Sequence, residues 1–370
     1  MVDYRLRNLA KLVVDYCVDL KAGEEVSIEG TVESIPLVRE IVKQAVQRGS
    51  YPIVKITDES ITEVFYKYAT TNVLTHVSSL EKELVSRVNA MVSIHAPSHT
   101  KALAGIDPEK LRIRSTATRE LSEIFLSRSA RGELKWVVVA YPTRALAQEA
   151  GMSIEDYEDF VYRATFADTE NPVAKWVELG DKLRKITTHL SKFNELRFVG
   201  PGVDLSVRVD GRVWISDDGK NNMPGGEVFT APIEDSAEGY VEFDYPAAWR
   251  GVEVEGIKLK FKRGVVVEAQ ATRNEDFLKK MLNTDEGARR VGEIAFGLNY
   301  NITRATRNIL FDEKIGGTMH LALGAAYMET GGTNVSAIHW DMIKDMKRAR
   351  VYADGDLIYE NGEFLEELLG

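Results

Sequence analysis

Four short strand-like runs in the first half of the chain, each followed by a helical pattern, leave few folds open. Residues 25–28, 51–56, 89–94 and 136–140 read as strands. Helical patterns cover 5–20, 34–47, 61–68 and 111–129; in the first, Leu9, Leu12, Val13, Tyr16 and Cys17 recur at a helical period. Strands that alternate with helices need crossover connections, which predicts a mostly parallel, doubly wound sheet covered on both faces. No strand-to-helix turn carries GxGxxG or a Walker-type lysine loop, so nothing marks this half as nucleotide-binding.

The texture changes after a long helical stretch at 171–193. Short strands and glycine turns dominate beyond 195. In 257–261, Ile257, Leu259 and Phe261 face one way and Lys258, Lys260 and Lys262 the other. Arg263-Gly264 turns the chain, and 265–271 returns as the partner strand of a half-buried hairpin. A helix is expected at 275–282, and Asp354-Gly355 and Asn361-Gly362 mark further tight turns. At 370 residues the chain exceeds one ordinary core. The expectation is an α/β domain over 1–194 and an α+β, strand-rich, metal-binding domain over 195–370.

The second domain carries the chemistry-bearing residues. In FDEKIGGTMHLALGAAYMETGGTNVSAIHWD, His320 and His339 lie with Glu313 and Asp341 among five glycines. Imidazole mixed with carboxylate is the donor set that zinc and similar divalent ions favour. His339 and Asp341 are two apart, so on a strand they project to one face. Glu293, in RVGEIAFG, and Glu227, in NNMPGGEVFTAP, sit beside apolar residues, where an unpaired carboxylate is costly to bury. Each residue alone has a plain reading as a turn glutamate or a hydrogen-bonded histidine; their joint occurrence points to a metal centre.

Other groups carry less. His95 and His99 have metal-like spacing, but Pro97 breaks the helical turn it needs, and a solvated loop is the better reading. His76 and His189 lack acidic neighbours and read as surface residues. Trp214 and Asp217-Asp218-Gly219 read as a strand and turn bordering the cleft. A net charge of −10 argues against nucleic acid or an anionic membrane as partner, and the lysine stripe reads as a solvated strand face. The single cysteine, Cys17, falls on the apolar face of the first helix as an inert thiol. With no apolar run near 18 residues and no signal pattern at the start, the expected location is cytoplasmic.

The motifs NMPGGEVFTAP, VEGIKLKF, NTDEGARRVGE, FDEK, GTMHLALGAAY, GGTN and HWDMI, in that order, resemble the aminopeptidase T / aminopeptidase S family of thermophilic metallopeptidases. The resemblance is strong over about 212–343. It implies a homodimeric exopeptidase that removes N-terminal residues from peptides with a free N-terminus, through water activated by two divalent ions. Zinc or cobalt is implied first, with magnesium or manganese as alternatives. Carried over by position, the ligands fall on Glu227, Glu293, Glu313, His320, His339 and Asp341, and the active-site tyrosine on Tyr327. Glu293 is expected to bridge the ions, with Glu227 and Asp341 completing one and Glu313, His320 and His339 the other; Glu293 and Tyr327 are the expected catalytic residues. Two other readings stay open: a dinuclear amidase or esterase acting on non-peptide substrates, and a non-catalytic binding protein with a structural metal site.

Overall fold

In a computed structural model, which describes residues 3–249 and 251–366, the early strands pair in parallel. The first unit comprises Met1–Lys175 with Gly219–Pro224. Its sheet runs in the order Tyr51–Thr57, Glu25–Thr31, Ala90–His95, Lys135–Ala140, Asn222–Met223. Val26, Ile28, Val92, Ile94, Val137 and Val139 are buried, and the run 136–140 among them reads as a continuous apolar segment. The last, two-residue strand was not expected. It joins the sheet from 84 positions beyond its partner (Val138 pairs with Asn222), so no local pattern announces it.

The helices differ from expectation in explicable ways. The first runs over Tyr4–Lys11 and continues as a π-helical turn, Leu12–Cys17, ending short of residue 20. Cys17 is buried there. The pattern at 111–129 is two helices, Pro108–Ala117 and Arg119–Ala130. The hydroxyls of Thr116 and Thr118 donate back to Arg112 and Arg114 carbonyls, the local competition that interrupts helices. Helices Ser79–Arg87, Arg144–Glu149 and Ile154–Ala164 were not foreseen; each starts at a hydroxyl cap, Ser78, Thr143 or Ser153.

The second unit comprises Trp176–Asp218 with Gly225–Gly370. The sequence division at 194 falls after the helix Pro172–Leu190, whereas the units divide near that helix's start. Leu183, Ile186 and Leu190 place the helix in the second unit's core. An eight-stranded antiparallel sheet contains the expected hairpin, Lys258–Lys262 with Val265–Gln270. Leu259 and Phe261 are buried and the three lysines exposed, as the alternation requires. Asn361 and Gly362 both have positive φ (55° and 90°), the turn geometry that Asn-Gly supplies.

A five-stranded antiparallel sheet faces this one across the core. Its order is His339–Asp345, Thr318–Gly324, Val291–Gly297, Glu227–Thr230, Ile215–Asp217. Phe296 from its central strand lies among Phe198, Trp214, Tyr359 and Phe364, with ring centroids 4.9–6.2 Å apart. Burying one such ring contributes about 1.5–3 kcal/mol. Ile294, Leu321, Leu323, Val228 and Met342 line the same face of the sheet. The opposite face is therefore committed to other work.

Candidate metal centre

Strand register puts the expected ligands on that opposite face. Glu293, His320, His339, Asp341 and Glu227 all alternate with the core-facing residues. Each also stands opposite a small residue: His320 pairs with Ala295, Glu293 and Asp341 with Ala322, His339 with Gly324, and Glu227 with Gly297. Two of these glycines are constrained by close approach. A Cβ on Gly324, at φ 106°, would lie 2.1 Å from the Ile338 carbonyl oxygen, and one on Gly297 would lie 2.3 Å from that of Ile315. The small partners leave space for the larger acidic and imidazole side chains.

Glu313 arrives differently, at the end of the short helix Ile309–Asp312. Its carbonyl oxygen accepts a 3.0 Å hydrogen bond from His320 Nδ1, while the Ala325 carbonyl accepts one of 2.7 Å from His339 Nδ1. Both imidazoles are thereby oriented with Nε2 turned to the carboxylates, the outer-shell arrangement that fixes histidine ligands. His320 Nε2 lies 3.1 Å from Glu293 Oε1 and 3.5 Å from Glu227 Oε2. His339 Nε2 lies 3.3 Å from Glu293 Oε2 and 3.6 Å from Asp341 Oδ1.

All six expected ligands are thus brought together. Their donor atoms fall into two groups, Glu227 with Glu313 and His320, and Glu293 with His339 and Asp341, within 4.8 Å of one another in each group. This regroups the partition expected from sequence, in which Glu227 went with Asp341. The reason lies in the register: Asp341 and Glu293 both face Ala322, which seats them together. The donors fit divalent ions. Glu227 Oε2 is buried without a hydrogen-bond partner, a costly state for a carboxylate unless a cation compensates it.

One residue in the centre was missed. Lys314 is fully buried, its Nζ 3.5 Å from Glu227 Oε1 and 3.7 Å from Asp217 Oδ2, with a closer contact to Glu313. Asp217, expected in a turn bordering the cleft, is instead buried beside this ammonium. The only sequence signal for Lys314 is its place at the end of FDEK.

The charges are strongly coupled. Desolvation raises the Glu227 carboxyl well above its usual range despite Lys314, and raises Glu313 likewise. At Glu293 desolvation is outweighed by hydrogen bonds from His320 and His339, and the carboxyl is held low. Asp341 is held low against its own desolvation by His339. The carboxylates overcome burial at the imidazoles too, raising His320 to about 9 and His339 to about 11. Desolvation and then Glu293 and Asp341 raise the Tyr327 phenol, so its hydroxyl keeps its proton. Its ring lies 4.9 Å from that of His339, although 44% of the residue remains exposed. His76, His95 and His99 are exposed and His189 is half-buried, all outside both groups.

Comparison with known proteins points to a metallopeptidase family. A model of the family described as thermophilic metalloprotease (M29) matches residues 2–364. The chain belongs to the M29 family. Its M29 relatives include Aminopeptidase T of Thermus thermophilus, 30% identical, with 96% of this chain and 95% of the relative covered. Aminopeptidase 2 of Geobacillus stearothermophilus is 29% identical, with 96% and 98% covered. The solved structure of wild-type AmpT from Thermus thermophilus superposes with a TM-score of 0.85 at 28% identity, covering 98% of this chain and 99% of that one. This M29 chain is therefore a metallopeptidase with the α/β and strand-rich parts expected of it.

Proposed function

We propose that two divalent ions, held by Glu227, Glu313 and His320 and by Glu293, His339 and Asp341, carry the aminopeptidase activity of this M29 chain. The observation behind this reading is Glu293, which turns one carboxylate oxygen to each imidazole from between the two donor groups. Glu293 would thus be placed to serve ions in both groups. When bound, a pair of such ions acidifies a shared water and polarises the scissile carbonyl.

The protein's own groups do the rest. The Nδ1 bonds to the Glu313 and Ala325 carbonyls lock both imidazoles with Nε2 inward. Lys314 balances part of the negative charge of Glu227 and Glu313. Tyr327, protonated at neutral pH, donates its hydroxyl hydrogen to the oxygen that becomes negative as the carbonyl is attacked, a contribution of about 2.7–4 kcal/mol. The substrates are peptides with a free N-terminus. The nitrogen and oxygen donors suit zinc or cobalt, with magnesium or manganese as weaker fits. The family resemblance adds a homodimer, and the sequence reading a cytoplasmic location. Among the described residues no helix is long and apolar enough to cross a membrane.

Chelated and reconstituted protein, assayed on leucyl-p-nitroanilide and its N-acetyl form, tests the proposal. Cleavage of the free-amine substrate only, and only with metal restored, is expected. Equal cleavage of the blocked substrate would remove the exopeptidase reading and favour the amidase one. Full activity after complete metal removal would defeat the metal mechanism.

A further inference from the structure

A hollow of about 120 Å³ lies against His339 and Asp341 on the edge strand of the five-stranded sheet. Its other walls are mainly apolar: Ala247, Trp249, Ile309, Trp340 and Ile343. Trp340 is 2% exposed, with its ring centroid 6.5 Å from that of Trp249. Asp312, at the same hollow, already accepts hydrogen bonds from the Thr306 backbone N–H (2.7 Å) and hydroxyl (2.9 Å) through Oδ1. Arg307, also in the lining, has its Nε 3.5 Å from Glu253 Oε1. The polar groups are thus engaged within the protein, and the apolar walls are what the hollow offers a ligand.

We infer that this hollow is the subsite for the side chain of the substrate's N-terminal residue, and that it selects compact apolar side chains. The inference rests on the aminopeptidase reading above. In an N-terminal residue the side chain and the scissile carbonyl branch from the same Cα. A substrate whose scissile carbonyl were held at an ion ligated by His339 and Asp341 would therefore bring its side chain to a cavity that shares those two residues. Size then sets the preference. An apolar cavity of roughly 150 Å³ accepts benzene, so 120 Å³ takes a leucyl or isoleucyl side chain and falls short of an indole. Apolar pockets gain about tenfold or more in specificity for each methylene they accommodate, which favours leucyl over alanyl. A lysyl or glutamyl charge would be set against apolar walls beside Asp312 and Arg307, which are already paired within the protein.

Ile309, 47% exposed at the hollow, can be changed with little risk to the fold. The experiment compares kcat/KM for alanyl, leucyl, tryptophanyl, lysyl and glutamyl p-nitroanilides in wild type, Ile309→Trp and Ile309→Ala. Calorimetric binding of free leucine and tryptophan supplies a readout independent of turnover, and thermal melts check folding. Wild type is expected to favour leucyl over alanyl by about tenfold or more and to favour it over the other three. Ile309→Trp should lower the leucyl-to-alanyl ratio about tenfold and weaken leucine binding; Ile309→Ala should raise tryptophanyl relative to leucyl. Turnover with ratios unmoved in both folded variants would overturn the subsite alone, as would a wild-type preference for lysyl or glutamyl. No turnover of any aminoacyl substrate by the metal-loaded protein would overturn the aminopeptidase reading and the subsite with it.

Discussion

Lys314 Nζ lies 3.5 Å from Glu227 Oε1, in a fully buried position where the ammonium has no access to water. A lone charge there would be costly to desolvate, so the lysine depends on Glu227, Glu313 and Asp217 as much as they depend on it. Desolvation of the ammonium is outweighed by these carboxylates, and its proton is held more tightly than in an ordinary lysine.

Replacing it by an uncharged side chain of similar length separates its structural from its metal-linked role. Lys314→Met should destabilise chelator-treated protein by about 3–5 kcal/mol in urea unfolding, because buried carboxylates lose their counter-charge. With divalent ions present the deficit should shrink, since the ions restore positive charge to Glu227 and Glu313. An equal deficit in both states would contradict this account.

Glu293→Gln keeps the shape of the side chain and removes the charge that faces both imidazoles. Turnover should fall by at least about a hundredfold with the circular dichroism spectrum unchanged. Wild-type rates would take Glu293 out of the mechanism.

For Tyr327→Phe, kcat should drop by about 10²–10³ while KM and metal content stay near wild type. The ring packs on His339 and Phe229, and phenylalanine preserves those contacts. A change confined to KM would assign the tyrosine to substrate binding.

Metal affinity should rise with pH. Without metal, His320 titrates near 9 and His339 near 11, both above the ordinary imidazole, so at pH 7 each carries a proton that an incoming ion displaces. Calorimetry in buffers of different ionisation enthalpy should find at least about two protons released per chain loaded at pH 7, one from each imidazole. The same raised values stabilise the metal-free fold. That contribution is full below about pH 6.5, the unfolded value, and is lost as pH climbs through 9 and then 11. Affinity independent of pH from 6 to 9 would count against these imidazoles as ligands.

Much of this architecture is legible in the sequence, for reasons visible in particular residues. Val26, Ile28, Val92 and Val137 are buried in a parallel sheet, and the alternation of their strands with helical patterns betrays it. Lys258 to Lys262 alternate because one face of their strand meets water. The strand Asn222–Met223 left no trace, since its pairing with Val138 and Val139 is long-range. In the centre, the six candidate ligands stood out as acidic and imidazole groups set among glycine and apolar residues. Their grouping did not, because it depends on cross-strand register and an irregularity between Val291 and Glu293. Lys314 escaped notice because lysine is ordinarily solvated, and only the folded chain brings Asp217, Glu227 and Glu313 around it.

The most direct test is the metal content of chelated protein reconstituted with zinc or cobalt and freed of loosely held ions, measured by mass spectrometry against protein concentration. Two ions per chain, with loss of at least one in Glu293→Gln, is the outcome this account requires. A chain that saturates at one ion while fully active would contradict it.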